Sequence, residues 1–384
     1  MAVMNEPGSE GEVLLREGGV TYTCVKDLGL DAQGGHLLLA RRTSGGTDEL
    51  RLLTHLSFPE DVAPSPEQIR ARRRLEESVR LATFLRHPAI ARVYGLHAVP
   101  GALYVEQEYV RGLSLDDLVT VALSRGRAFP EPFLVHVGLQ VAEALAAAHA
   151  CRDERGTPLG LLHRHLHPCL IHVEPGGAVK VLDFGLAGAR LPGAVDAPAP
   201  PRGALFFCAP EALFLEGVDA RADLFSLGAV LLELATGRNL YSRPDVLESR
   251  LRRRLKKQER ARIAKGLTAA AAAGLSTATY PQVALQAATF QPGDVERLAA
   301  ELSPPLRGVL ARLLRRDPEA RHATAEALAA DLRALREEQG PYTNADAAEA
   351  VRRALSGAGR RLVDSELGSE LRDALAPDEV STGR

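Results

Sequence analysis

The sequence predicts an α+β fold, strands first and helices after, and three stretches carry that prediction. Between Thr21 and Leu53 the runs TYTCVKDLG, HLLLARR and ELRLL are short apolar or β-branched segments parted by Gly-rich turns, the pattern of neighbouring strands. From Pro130 to Cys151 an Ala/Leu-rich stretch places Phe133, Val137, Val141 and Leu145 on one side of a long helix, as core. Between these halves, Leu161–Gly185 organises the chain. Two apolar runs, Leu170–Val173 and Val179–Leu182, flank a Glu-Pro-Gly-Gly turn and read as a hairpin. A His-dense loop leads in, and Asp183-Phe184-Gly185 leads out.

Taken in order, residues 1–20 are Gly/Glu-rich and read as disordered. After the three strands, Ser65–Leu85 opens on Ser-Pro-Glu and carries Leu75, Val79, Ala82 and Leu85 at helical spacing. The segment Tyr241–Pro304 holds a basic run at 250–265, RLRRRLKKQERARIAK, read as a solvated helix face or a dock for an acidic partner. Beyond Gly340 two short helices are expected, Ala345–Leu355 and Leu362–Ala374.

Composition excludes several classes. A chain of 384 residues with 46% hydrophobic and 25% charged residues is that of a soluble protein larger than one compact domain. Net charge is −2, which argues against nucleic acid or an anionic membrane as partner. No apolar run approaches the ~20 residues a bilayer needs, and the start, MAVMNEPGSEGE, has no signal-like core. Cys24, Cys151, Cys169 and Cys208 are scattered, which suits a reduced, cytoplasmic location. Lysine occurs only at 26, 180, 256, 257 and 265 while Arg and Ala abound, the bias of a GC-rich bacterial genome.

From Thr21 to Arg336 the chain carries, in order, His87-Pro88-Ala89-Ile90, His163-Arg164, Asp183-Phe184-Gly185, Ala209-Pro210-Glu211 and Asp223-Leu224-Phe225-Ser226-Leu227-Gly228. It thereby resembles the bacterial members of the eukaryotic-type Ser/Thr protein kinase family. The resemblance implies a bilobal kinase fold. A β-rich lobe would span 21–110, a larger helical lobe 111–340, and a tail 341–384.

Laid on that family, the nucleotide and catalytic positions depart from the pattern. The glycine loop keeps Gly29, Gly34 and Gly35, but Leu30, Asp31 and Ala32 fill its middle. The strand lysine position falls on Leu53, or on Thr54 if the register slips by one, and the helix Glu that pairs with it falls on Ser78. Arg51, the nearest cation, reads as a solvated side chain. The gatekeeper position is Gln107, followed by the hinge Glu108-Tyr109-Val110. In the catalytic loop the base position holds His165, the next Lys position His167 and the metal-binding Asn position Leu170, while His172 stands where a Leu packs under adenine. The activation segment, Leu186–Ala209, has no Ser, Thr or Tyr, so Arg164 has no phosphorylated acceptor there. The supporting residues are kept: Arg164, Asp223 and the expected pair Glu211 with Arg321.

The leading reading is a catalytically inactive pseudokinase, a scaffold or allosteric partner of another kinase or signalling protein, with no required cofactor. One alternative is a weakly active ATP-dependent Ser/Thr kinase with His165 as base. Another is a sensor of ATP with magnesium, through Gly29, Gly34, Gly35, Glu108, Val110 and Asp183, or of a transition metal on His165, His167 and Asp183.

Overall fold

The computed structural model describes residues 8–30, 35–57, 65–186, 203–243, 248–272 and 279–358. The chain divides into two compact units. One comprises Met1–Val110, Ala150–His163 and Leu182–Arg202, the other Arg111–His149, Arg164–Val181 and Gly203–Arg384. The first thus takes in the stretch before the His-dense loop and the Asp-Phe-Gly segment, which sequence alone assigned to the second.

The first unit is built on a six-stranded sheet of order β1-β2-β3-β4-β6-β5, all neighbours antiparallel. Its strands are β1 (Val13–Glu17), β2 (Val20–Leu30), β3 (His36–Ser44), β4 (Thr47–Ser57), β5 (Val93–Val99) and β6 (Ala102–Glu108), with helix α1 (Pro66–Ala82) between β4 and β5. Strand β1 corrects the expectation of disorder through residue 20. Gly18 and Gly19 take φ of +56° and +80°, a two-residue hairpin turn whose twist suits the flanking strands, and Glu17 pairs with Val20 across it. Leu15 then enters the core at 5% exposure. Gly45-Gly46 repeats the device between β3 and β4.

Alternation along the strands divides the sheet into two faces. On one, Leu15, Tyr22, Cys24, Leu38, Ala40, Leu53 and Tyr104 form a core. On the other, α1 lays Leu75, Val79 and Ala82 on Val93, Leu103 and Val105, with Leu186 in the same cluster. The helix starts as its sequence suggests. Ser65 Oγ accepts from Gln68 N and Gln68 Oε1 accepts from Ser65 N, a reciprocal cap with Pro66 in the first turn.

The second unit is helical around α3 (Glu131–His149) and the almost wholly buried α5 (Arg221–Thr236), which pack together. It begins with β7 (Leu113–Ser114) and α2 (Leu115–Arg125), and β7 joins the hairpin of β8 (Ile171–Val173) and β9 (Val179–Val181). Then come α4 (Pro210–Leu213) before α5, and α6 (Glu248–Arg254), α7 (Lys257–Ala272), α8 (Tyr280–Thr289), α9 (Pro292–Leu298), α10 (Pro304–Leu313), α11 (Ala325–Gln339) and α12 (Asn344–Ala358) after it. Helices α5 and α10 approach so closely that a Cβ on Gly228 would stand 2.7 Å from that of Leu313. Helix α12 packs on α2 and α3. The second tail helix expected from sequence, Leu362–Ala374, lies outside the described residues. No described helix is long and apolar enough to cross a membrane.

Candidate functional site

In the first unit the site is a chain of three side chains. Thr54 Oγ1 donates to Gln107 Oε1 at 3.3 Å, and Gln107 Nε2 donates to Asp183 Oδ1 at 2.8 Å. Strand pairing produces this. Leu52 stands opposite Gln107 and Thr54 opposite Val105, so Leu52, Thr54 and Gln107 share one face of β4 and β6. Leu53 is fully buried on the other face. Of the two candidates for the strand lysine position, Thr54 lies on the face of Gln107, which bonds the Asp-Phe-Gly carboxylate, and Leu53 lies on the opposite face.

The helix Glu position gives no cation partner either. Ser78 is half-buried, and neighbouring Glu77 is exposed and gripped by Arg80 at 2.7 Å. The Arg80 bond, against a small desolvation, holds the Glu77 carboxyl below its usual range. Arg51 is not the solvated side chain expected. Its Nε donates to Glu106 Oε1 at 3.1 Å, its Nη2 pairs with Glu49, and its guanidinium lies 4.2 Å over the Tyr94 ring, on the face opposite Thr54. Glu106 there also accepts from Tyr22 Oη and meets His97 Nε2, each at 3.0 Å, while His97 Nδ1 reaches Glu17 of β1 at 2.6 Å. This polar cluster, beneath a cavity of about 460 Å³, was not legible as a site because its members, Arg42 of β3 among them, come from all six strands.

Asp183 takes a left-handed φ of +57°, and Phe184 is buried with His163 edge-on at 4.7 Å. The His163 ring also bonds Leu182 O at 2.9 Å. At the hinge Glu108 N donates to Arg92 O and Arg92 N donates to the Glu108 side-chain Oε2, at 2.7 and 2.9 Å, and Val110 is buried. Gly29 has φ of +88° and donates its N–H to Asp27 Oδ1, Gly35 is buried, and Gly34 with Asp31 and Ala32 lies outside the described residues.

In the second unit Arg164 holds φ of +63°, and its N–H donates to Asp223 Oδ1 at 2.7 Å while His149 Nε2 meets Oδ2 at 2.9 Å. Asp223, in the first turn of α5, thus ties the catalytic-loop backbone to the core. His165 and His167 follow with rings edge-to-face at 5.0 Å, and Leu170 ends a short 3-10 turn. Burial pushes the His172 ring below its ordinary pKa, favouring the neutral form. Among the described residues no group of three His, Cys, Asp or Glu side chains is placed to hold a metal ion.

Glu211 and Arg321 make a two-pronged buried pair, with bonds of 2.6 and 2.8 Å. Arg321 spends its remaining donors on the carbonyls of Arg315, Arg221 and Arg316 and lies 4.9 Å over the Phe225 ring. The activation segment falls mostly at 187–202, outside the described residues.

Comparison with known proteins places the fold in a family. A protein kinase domain model matches residues 63–332, beginning after β4 and ending within α11. The tyrosine-protein kinase MasK of Myxococcus xanthus is 33% identical over 171 residues, 44% of this chain and 26% of the relative. The serine/threonine-protein kinase PknB of Mycolicibacterium smegmatis is 29% identical over 309 residues, 77% of this chain and 42% of the relative. The chain therefore spans less than half the length of these relatives. The kinase domain of Mycobacterium tuberculosis PknI shares the fold, with a TM-score of 0.51 at 23% identity over 86% of this chain and 99% of that one. The chain belongs to the protein kinase domain family.

Proposed function

We propose that this kinase-fold chain is a pseudokinase, acting as a scaffold or allosteric partner for another signalling protein and not by phosphoryl transfer. One observation carries the reading: the Asp183 carboxylate, the family's magnesium ligand, is bonded to Gln107, which is in turn held by the Thr54 that replaces the phosphate-binding lysine. Kinase catalysis is positioning plus charge stabilisation, so a neutral hydroxyl in place of that cation removes most of what the strand contributes.

The remaining positions point the same way. His165 replaces the base Asp, and Leu170 has no oxygen for a second metal. The donor set does not fit magnesium nucleotide. The family match itself begins only after the strands that would carry the glycine loop and the lysine.

Thermal denaturation with millimolar ATP and magnesium tests the reading. A ligand at a hundred times its Kd stabilises by about 2.7 kcal/mol, several degrees for a chain this size. The expected result is no rise in Tm. A rise that disappears in Asp183→Ala would show nucleotide bound through magnesium and overturn the proposed loss of that site.

A further inference from the structure

We propose that the outward face of α6 and α7 is a docking surface for an acidic, extended peptide segment of a partner protein. The inference rests on the reading that the chain acts by binding, and it names the chemistry of the partner.

Residues 248–265 carry nine Lys or Arg against two Glu, net +7, and since the whole chain carries −2 the remainder carries −9. Helix geometry sorts α7 into two faces at about 3.6 residues per turn. Gly266 lies inward, where a Cβ would stand 2.5 Å from Tyr280 Oη, and Ala270 is buried on the same side. Arg262 also turns inward, its guanidinium 4.8 Å over the Phe214 ring. Lys257, Arg260 and Lys265 point away and are exposed, as are Arg250 and Arg253 of α6.

The nearby carboxylates are already engaged. Glu248 holds Arg252, Glu216 holds Arg262, and Glu259 takes Arg316 and the Lys256 N–H. Among the described residues Arg250, Arg253, Lys257, Arg260 and Lys265 have no ion pair.

Five solvated cations on two short, consecutive helices fit a run of carboxylates, to which Arg adds a bidentate fork. A nucleic acid fits less well. Residues 248–272 include no aromatic side chain on which a base could stack.

The experiment is fluorescence anisotropy of the full chain with a fluorescein-labelled 16-residue Asp/Glu-rich peptide, at low and high salt. The expected result is saturable binding that weakens with salt and falls about tenfold or more in Lys257→Glu/Arg260→Glu/Lys265→Glu. All three positions are exposed, so the variant should keep the wild-type Tm. Reversing exposed Arg352 and Arg353 of α12 should leave affinity unchanged. Absence of binding, equal binding by the triple variant, or tighter binding of a single-stranded DNA of the same length would overturn the proposal. A chain that binds the peptide through this face and also transfers phosphate would overturn the pseudokinase reading and leave this surface standing.

Discussion

Asp183 is the residue on which the first unit turns, and its partner was only half legible. The gatekeeper position is readable from the hinge that follows it, so Gln107 could be placed. Which side chain it meets could not, because β4 reads ELRLLTHL, with leucines on both faces. A one-residue slip moves a strand's whole side-chain set to the opposite face, and apolar alternation gave no way to choose Thr54 over Leu53. The structure chooses through hydrogen bonding. Replacing Gln107 by Leu should therefore take one donor from the half-buried Asp183 carboxylate, costing about 1.5–3 kcal/mol for a bond to a charged group. Thr54→Val should cost less, about 0.5–1.5 kcal/mol. Both are read from urea denaturation midpoints at constant m. An unchanged midpoint in Gln107→Leu would mean that the bond does not form in solution.

At the level of elements, strands β2 to β4, the helix α1 and the β8–β9 hairpin were readable from period and turn chemistry. Strand β1 was missed although its Gly18-Gly19 turn stood in plain view, because acidic and glycine-rich composition outweighed a short Val-Leu-Leu run. The sheet's polar cluster gives β1 a pH-dependent tie. The Glu106 bond, against burial and with help from Glu17, raises the His97 pKa above 6.5. A raised value means stability fully present below about 6.5 and lost as pH rises through the folded value. Burial works to raise Glu106, but bonds from His97 and Tyr22 outweigh it and hold the carboxyl low, so its contribution is lost only as pH falls through that lowered value. His55 acts in the opposite sense to His97. Burial lowers it to about 4, so the fold loses stability as pH drops from 6.5 toward that value. His97→Gln should flatten the alkaline slope of denaturation midpoint against pH and, because the His97 bond helps to hold Glu106 low, also weaken the Glu106 share of the acid slope while the His55 share stays. An alkaline slope identical to wild type would refute the tie. Helix α12 makes a second test at this scale. It lies beyond the family match, yet Gly177 of the hairpin turn, at φ +84°, sits so close that a Cβ would overlap Asn344 O and stand 2.7 Å from Ala348 N. His136 bonds Gly177 O at 3.0 Å and meets Tyr342 edge-on at 5.5 Å. Gly177→Ala should release α12, seen as lost hydrogen-exchange protection across 344–358, and retained protection would show that the helix docks without the turn.

For the whole molecule, the family framework was legible because its supporting motifs occur in order, and the structure joins them as buried bonds. Glu211→Gln should cost about 3–5 kcal/mol, since it strands the Arg321 guanidinium, whose side chain is fully buried. A loss below about 1 kcal/mol would show the pair to be dispensable. What sequence order did not reveal is how a kept motif is used, as with an Asp-Phe-Gly carboxylate bonded by a glutamine. On the proposed pseudokinase reading the functional consequence can be weighed. A missing general base costs ~10²–10⁴-fold, and a missing cation at the phosphates another ~10²–10³ by analogy with an oxyanion-hole donor. Such losses are not additive in residues that act as a unit. Even discounted to ~10⁴, they take a typical kinase turnover of ~1–100 s⁻¹ below ~10⁻² s⁻¹. Radiolabelled phosphotransfer to the chain itself and to generic Ser/Thr substrates, with magnesium and with manganese and with Asp183→Ala as the blank, measures this directly. The pseudokinase reading predicts turnover no higher than the blank, whereas turnover above ~10⁻² s⁻¹ that is abolished by both Asp183→Ala and His165→Ala would contradict it.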